Sequence, residues 1–156
     1  MLLGILPKQE KVFLMTSSEK IIGIAREWIG TPYHHQEDKK QIGCDCLGLI
    51  RGIWRDLYGT DNPEIVPNYS PTWGDHCQHD PLFDVSNKYF IKKKHMRMGD
   101  LLLFRLRYDM AVKHCSIYTG EGTMIHAYSC HEVCEEEYST WWSKRLAGIF
   151  SFEGVN

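Results

Sequence analysis

From residue 46 the apolar side chains fall at Cys46, Leu49, Ile50, Ile53, Trp54 and Leu57, the i, i+3, i+4, i+7, i+8, i+11 rhythm of one helical face, and Gly59 closes the run. Asp45 stands where an N-cap belongs, so the pattern predicts a helix whose first turn contains Cys46. An earlier set, Ile21, Ile22, Ala25, Trp28 and Ile29, predicts an amphipathic helix over 19–29. The capping-box pair Thr16 and Glu19 introduces it, and Gly30 and Pro32 stop it. Residues 31–43 read as a polar connection, and 59–80, rich in Pro, Asn, Asp and Gly, as an irregular surface excursion. Asp80 before Pro81 then predicts the N-cap and first position of a short helix to about residue 88. Beyond Gly99-Asp100 the pattern changes to short runs that predict strands over 101–106, 113–118, 123–128, 132–137 and 148–152, with turn residues such as Thr119-Gly120-Glu121-Gly122 between them. Lys92-Lys93-Lys94 reads as a solvated stretch ahead of those strands. Helices first and strands afterwards predict an α+β domain, its N-terminal helices packed on an antiparallel sheet of consecutive pairings.

Composition narrows the classes. A chain of 156 residues is one domain by length and can hold a single core without disulfides. With 43% hydrophobic and 24% charged residues and a net charge of -2, it is ordinary for a globular enzyme and poorly matched to a phosphate backbone, so no nucleic-acid partner is expected. No window approaches the roughly 20 apolar residues of a membrane span. The N-terminus lacks a basic region and a small-residue cleavage site, so no signal peptide is expected and synthesis in a reducing cytoplasm fits the scattered cysteines. Residues 1–14 are read as an extension outside the fold, with one catalytic-type domain over 15–156.

Position gives Cys46 its chemical interest. Unpaired amides and the positive end of the macrodipole at a helix start favour thiolate over thiol, and the same amides can bind an oxyanion forming on a carbonyl. A thiolate nucleophile needs a base, and the base needs an orienting partner. His114 and His126 lie on adjacent predicted strands, and they share a face only if the loop between them has an odd number of residues. A three-residue Thr119-Gly120-Glu121 loop would meet that condition and set them directly opposite, with Cβ atoms about 4.5–5.5 Å apart, whereas an even loop would put the rings on opposite faces. Taken alone, two such histidines fit a structural or metal-binding role as readily. Cys44 with Cys46, His76-Cys77-His79 and Cys130-His131-Cys134 are the possible ligand groups, yet none has paired zinc-finger spacing, and no metal or cofactor is expected. Cys77, Cys115, Cys130 and Cys134 are read as bystanders.

Five ordered segments add a precedent: Gly30-Thr31-Pro32-Tyr33, Gly43-Cys44-Asp45-Cys46-Leu47-Gly48-Leu49, Gly99-Asp100-Leu101-Leu102-Leu103-Phe104, Lys113-His114-Cys115-Ser116-Ile117-Tyr118 and Met124-Ile125-His126-Ala127. Together, over about residues 18–152, they resemble the NlpC/P60 family of papain-like cysteine peptidases. More narrowly, His34-His35-Gln36, Arg51-Gly52-Ile53-Trp54-Arg55, Tyr69-Ser70-Pro71 with Trp73, and Trp141-Trp142 with Arg145-Leu146-Ala147-Gly148 resemble the branch encoded in phage tail modules and gene transfer agents. The resemblance implies a papain-like fold and hydrolysis of peptidoglycan stem peptides at a γ-D-glutamyl to diamino acid bond. It implies Cys46 as nucleophile, His114 as base and His126 as the polar third member. Tyr33 would serve the oxyanion hole or substrate binding, and Asp45 would cap the helix and contact the substrate's amine. Two features depart from the family pattern: His-His-Gln follows Tyr33 in place of Gly-Gly, and a second cysteine precedes Asp45. No wall-binding module is recognisable, so delivery to the wall is expected from phage-like tail proteins.

Overall fold

A computed structural model of the chain describes residues 17–62, 80–128 and 131–154. The 1–14 extension, Thr16 of the capping box, His76, Cys77, His79 and Cys130 lie outside the described residues. Helix α1 (Ser17–Arg26) buries Ile21, Ile22 and Ala25, and the turns after it lay Trp28 into the same core. Helix α2 (Cys46–Tyr58) has the expected bounds. Asp45 caps its start in extended conformation, and Gly59, left-handed at φ 74°, returns its N–H to the Arg55 carbonyl at 2.8 Å. The two helices meet where Trp28 lies flat against Gly52, since a Cβ there would fall 2.0 Å from the indole Cζ2. The connection between them is more ordered than its polarity suggests. Strands β1 (Asp38–Lys39) and β2 (Gly43–Cys44) form a small ribbon, clamped to α2 because Arg51 and Arg55 both reach the Asp38 carboxylate.

The main sheet comprises β3 (Phe90–Lys93), β4 (Leu101–Phe104), β5 (His114–Tyr118), β6 (Thr123–His126), β7 (Cys134–Glu137) and β8 (Leu146–Phe152). Its order is β3-β8-β4-β5-β6-β7, with every pairing antiparallel, which gives the α+β architecture expected. Consecutive pairing holds from β4 to β7. It fails at β8, which returns to lie between β3 and β4. Strand β3 is a further departure, because Lys92 and Lys93 of the supposed solvated stretch belong to it. It is an edge strand with Phe90 buried and three exposed residues, and lysines on an edge discourage pairing with other chains.

Both sheet faces are covered, which explains the unbroken apolar run of β4. On one face Leu101, Leu103, Cys115, Ile117, Ile125, Phe150 and Phe152 join the residues of α1 and α2 in the main core. On the other, Leu102, Phe104 and Met124 pack with Trp142 of the short helix α4 (Thr140–Ser143). Each such side chain, fully buried, contributes on the order of 1.5–3 kcal/mol. Helix α3 (Pro81–Tyr89) lies against β3 and β8. Asp80 precedes it as expected but makes no side-chain cap; its carboxylate instead takes Arg105 Nη2 at 2.7 Å and the Val112 amide at 3.0 Å. That correction matters for the site, because these bonds fix the loop leading into His114.

Candidate active site

Cys46 sits in the first turn of α2, where helix geometry leaves four amides without carbonyl partners. Asp45 Oδ1 takes the Gly48 amide at 2.7 Å, and Leu49 begins the regular ladder on the Asp45 carbonyl at 2.9 Å. The amides of Cys46 and Leu47 are thus the ones left at the tip beside the sulfur. Asp45 is 2% exposed and its Oδ2 accepts the Gln36 amide at 2.8 Å. Its cap role is therefore in place, and both carboxylate oxygens are engaged with backbone amides, which leaves little surface for a substrate amine. Tyr33 is half-buried and joined by an isolated parallel bridge to Cys44, two residues before Cys46.

Gly48 makes this closeness possible. A Cβ there would stand 1.8 Å from the Glu37 carbonyl oxygen, the acceptor of the Asp45 amide. Gly48→Ala is expected to push the 36–38 segment off the helix and to destabilise the fold by about 1–3 kcal/mol. Urea unfolding measures this; an unchanged midpoint would show that the segment yields without cost.

Two residues of β5 and the one before it receive the sulfur. Cys46 Sγ lies 3.6 Å from the Lys113 carbonyl oxygen, and Cys115 Sγ lies 3.4 Å from the Cys46 carbonyl oxygen. Cys46 is half-buried as a residue, whereas Cys44 and Cys115 are buried. Its pKa is lowered to about 5, chiefly by a hydrogen bond with the Cys115 thiol, against the opposing effect of burial, with the hydrogen bond and charge of His114 adding to the lowering. Cys44, two residues away, is pushed up to about 12 by burial and by the charge of Asp45. Neighbouring cysteines are thus set to opposite states.

His114 and His126 share one face of the β5–β6 hairpin, with His114 Nε2 2.7 Å from His126 Nδ1. The loop is odd, as the parity argument requires, but its register is not that of a Thr119-Gly120-Glu121 loop. Ile117 pairs with Ile125 and Tyr118 with Met124, so the rings meet as diagonal neighbours and not as a directly opposed pair. His126 Nε2 lies 2.9 Å from Glu136 Oε1. Burial first, then the charges of His114 and His131, push the His126 pKa down to about 3, so its ring is neutral near pH 7. A neutral imidazole has one N–H, and a carboxylate can only accept, so that proton is on Nε2 and Nδ1 accepts from His114 Nε2–H. His114 Nδ1 is then the nitrogen that serves Cys46. The tautomer of the base is fixed by a relay ending on Glu136.

An aromatic wall keeps water from this relay. Trp142 stacks on His114 at 5.1 Å between centroids, Tyr128 stacks on His126 at 6.0 Å, and Phe104 lies 5.9 Å from His114. His114 and His126 are accordingly 4% and 1% exposed. Trp142 also donates its Nε1–H to Glu136 Oε1 at 3.0 Å, so one carboxylate holds both the relay and its cover. Beside Phe104, the pairing of β4 with β8 shifts so that Ala147 is an extra residue, a local bulge at the edge of the site.

Glu136 and Cys115 have no signal in the sequence; Trp142 was marked only by the family-branch resemblance. Cys115, read as a bystander, touches the nucleophile. His126, Cys134 and Glu136 bring their donor atoms within 4.8 Å of one another, a spacing that could hold a cation. The hydrogen bond between His126 and Glu136 satisfies both without one, and no metal chemistry is assigned to the group.

Comparison with known proteins follows the same line. The family model described as "NlpC/P60 family" matches residues 30–151, most of the chain. Over 141 residues the chain is 23% identical to the Gamma-DL-glutamyl hydrolase of Bacillus subtilis, covering 90% of this chain and 30% of that protein. It is 21% identical to the Murein DD-endopeptidase MepH of Escherichia coli over 124 residues, covering 80% of this chain and 41% of the other. The chain thus spans less than half the length of either relative. Among solved structures, the NlpC/p60 domain of peptidoglycan hydrolase SagA superposes with a TM-score of 0.60 at 22% identity, over 88% of this chain and 100% of the other. RipD from Mycobacterium tuberculosis, described as a non-catalytic NlpC/p60 domain protein adapted to peptidoglycan binding, gives 0.54 at 14% identity, over 89% of this chain and 98% of the other. The likeness to these structures is one of fold, and with the family match over residues 30–151 it leads to one conclusion: this chain belongs to the NlpC/P60 family.

Proposed function

We propose that the chain is a cysteine endopeptidase that hydrolyses peptidoglycan stem peptides at the γ-D-glutamyl to diamino acid bond. The observation that carries this reading is the Cys46 sulfur at a helix start, held toward thiolate beside a histidine whose tautomer a buried relay fixes. In the proposed course Cys46 Sγ attacks the scissile carbonyl, and the oxyanion forms near the amides of Cys46 and Leu47, with Tyr33 assisting. His114 Nδ1 takes the Cys46 proton as the thiolate forms, gives that proton to the leaving amine, and then takes one from the water that releases the acyl-enzyme. His126 orients the base, and Asp45 holds the helix tip in place.

Two further features support a peptide of this kind. Arg105, Arg107, Lys144 and Arg145 line an open groove of about 680 Å³; Arg105 is held by Asp80 and Arg107 by Asp109, so Lys144 and Arg145 carry its positive charge toward a carboxylate-bearing substrate. The named relatives are a Gamma-DL-glutamyl hydrolase and a Murein DD-endopeptidase, names that join a γ-glutamyl bond and a wall peptide as targets of hydrolysis. Delivery on a phage-like tail particle, with tail proteins as partners and the cell wall as the place of action, is part of the proposal and rests on the sequence segments quoted above. No helix among the described residues is long and apolar enough to cross a membrane.

Digestion of purified peptidoglycan, followed by mass analysis of the fragments, tests the reading. New amino termini on the diamino acid and new carboxyl termini on D-glutamate are expected. Release of whole stem peptides from the glycan would instead indicate an amidase, and transfer to an added amine an acyltransferase. A second reading, a tail-assembly or wall-binding protein that keeps the fold without turnover, is favoured by the likeness to RipD. Binding to wall fragments with no fragment released would select it.

A further inference from the structure

The mechanism leaves the thiol beside the Cys46 sulfur unused. Cys115 stands on β5 facing the start of α2, is 1% exposed, and has its Sγ 3.4 Å from the Cys46 carbonyl oxygen. Cys46 Sγ rests 3.6 Å from the Lys113 carbonyl, at the near end of the same strand, and its side chain is half-buried. The two thiols meet by a hydrogen bond across the seam between helix and strand, Cys46 on a half-buried residue at the helix tip and Cys115 on a buried one behind it. No other described cysteine shares this arrangement: Cys134 lies on β7, and Cys44 precedes Asp45, which separates it from Cys46 along a capped backbone.

We propose that Cys115 is a resolving thiol, which captures Cys46 as a Cys46–Cys115 disulfide after oxidation by hydrogen peroxide and so spares the nucleophile from irreversible oxidation. In the first step the Cys46 thiolate attacks a peroxide oxygen: an S–O bond forms, the O–O bond breaks, and the departing hydroxide takes a proton to become water. Cys46 is oxidised by two electrons to a sulfenic acid and the peroxide is reduced. Cys115 then attacks that sulfur: an S–S bond forms, the S–O bond breaks, and the hydroxyl leaves as water with the Cys115 proton. Overall two thiols and one peroxide give one disulfide and two waters. Contact with the Cys46 thiolate holds the Cys115 pKa well above the usual thiol value, and that repulsion disappears once Cys46 is an uncharged sulfenic acid. Reduction by a dithiol reverses the sequence.

The disulfide itself does not depend on the proposed function; only the accompanying loss of turnover does. The experiment therefore reads covalent structure first. Parent protein treated with hydrogen peroxide, digested without reduction and mapped by tandem mass spectrometry should yield a product lighter by two hydrogens, with Cys46 joined to Cys115. Cys115→Ser, treated alike, should carry two or three added oxygens on Cys46, and thiol reactivity recovered with dithiothreitol should fall at least about tenfold relative to the parent. Linkage of Cys46 to Cys44 or to any other cysteine would overturn the proposal. So would equal recovery in parent and variant. If Cys115→Ser fails to fold, the map of the parent alone decides: the Cys46–Cys115 link upholds the proposal, and its absence sinks it.

Discussion

Cys46→Ala is expected to lower the turnover of stem peptides by on the order of 10⁶-fold, because nucleophile, base and orienting residue act as a unit and losing the attacking atom removes nearly the whole chemical advantage. The fold should survive, since the side chain is half-buried and the substitution leaves the Asp45 cap and the helix ladder intact. Cys44→Ala provides the contrast. That thiol is buried and held near 12, so its loss should leave turnover at the parent rate. Steady-state kinetics on purified stem peptide, with circular dichroism to verify folding, checks both. Residual activity in Cys46→Ala above about one hundredth of the parent rate would show that another group attacks the carbonyl.

The second large effect concerns His126. Its Nδ1 is the acceptor that holds the proton of His114 on Nε2, and without it His114 can turn or take the other tautomer, presenting an N–H to Cys46 where a lone pair is needed. His126→Ala should therefore cost about 10⁴-fold in kcat, the size of effect known when a catalytic histidine is left in the wrong tautomer. His126→Asn offers a carbonyl oxygen as acceptor in nearly the same place and should recover at least about a hundredfold of that loss. A merely structural role for His126 would predict no such recovery, since a polar amide without the ring would fill the aromatic wall of Phe104, Tyr128 and Trp142 no better than alanine. Equal kcat in the two variants would therefore count against the relay.

Local rules were legible where the chain obeys one period and one cap. Helix α2 could be read to the residue, because its apolar stripe, Asp45 and Gly59 agree with one another. The strand character of β4 to β6 was legible for the same reason, whereas a period of two left the β5–β6 loop a choice between odd and even that only the pairing decides. What escaped depends on contacts between distant segments. Strand β3 was masked by the lysines that an edge position favours, and β8 takes its place between β3 and β4 through pairings that no local pattern encodes. Asp80 has the sequence of a cap, yet two donors on the 105–112 loop claim its carboxylate.

The site divides along the same line. Cys46, His114, His126, Tyr33 and Asp45 were named from spacing and resemblance, and the fold brings the first three into one connected group. Glu136 enters only because β7 pairs with β6 so that Cys134 lies opposite His126, which sets Glu136 on the same face beside the ring. Cys115 enters because alternation along β5 puts it in the main core under α2 while His114 lies beside Phe104 and Trp142, a choice that the sequence of β5 alone leaves open.

The thiolate beside His114 is the central claim, and the pH dependence of Cys46 alkylation by iodoacetamide tests it most directly, followed by mass spectrometry of the peptide that carries it. The sulfur is the reactive anion above its pKa and an unreactive thiol below it. The structure therefore predicts a rate that rises through an inflection at about 5 and is level by neutral pH. An inflection near 9, the ordinary position for a cysteine thiol, would contradict the account.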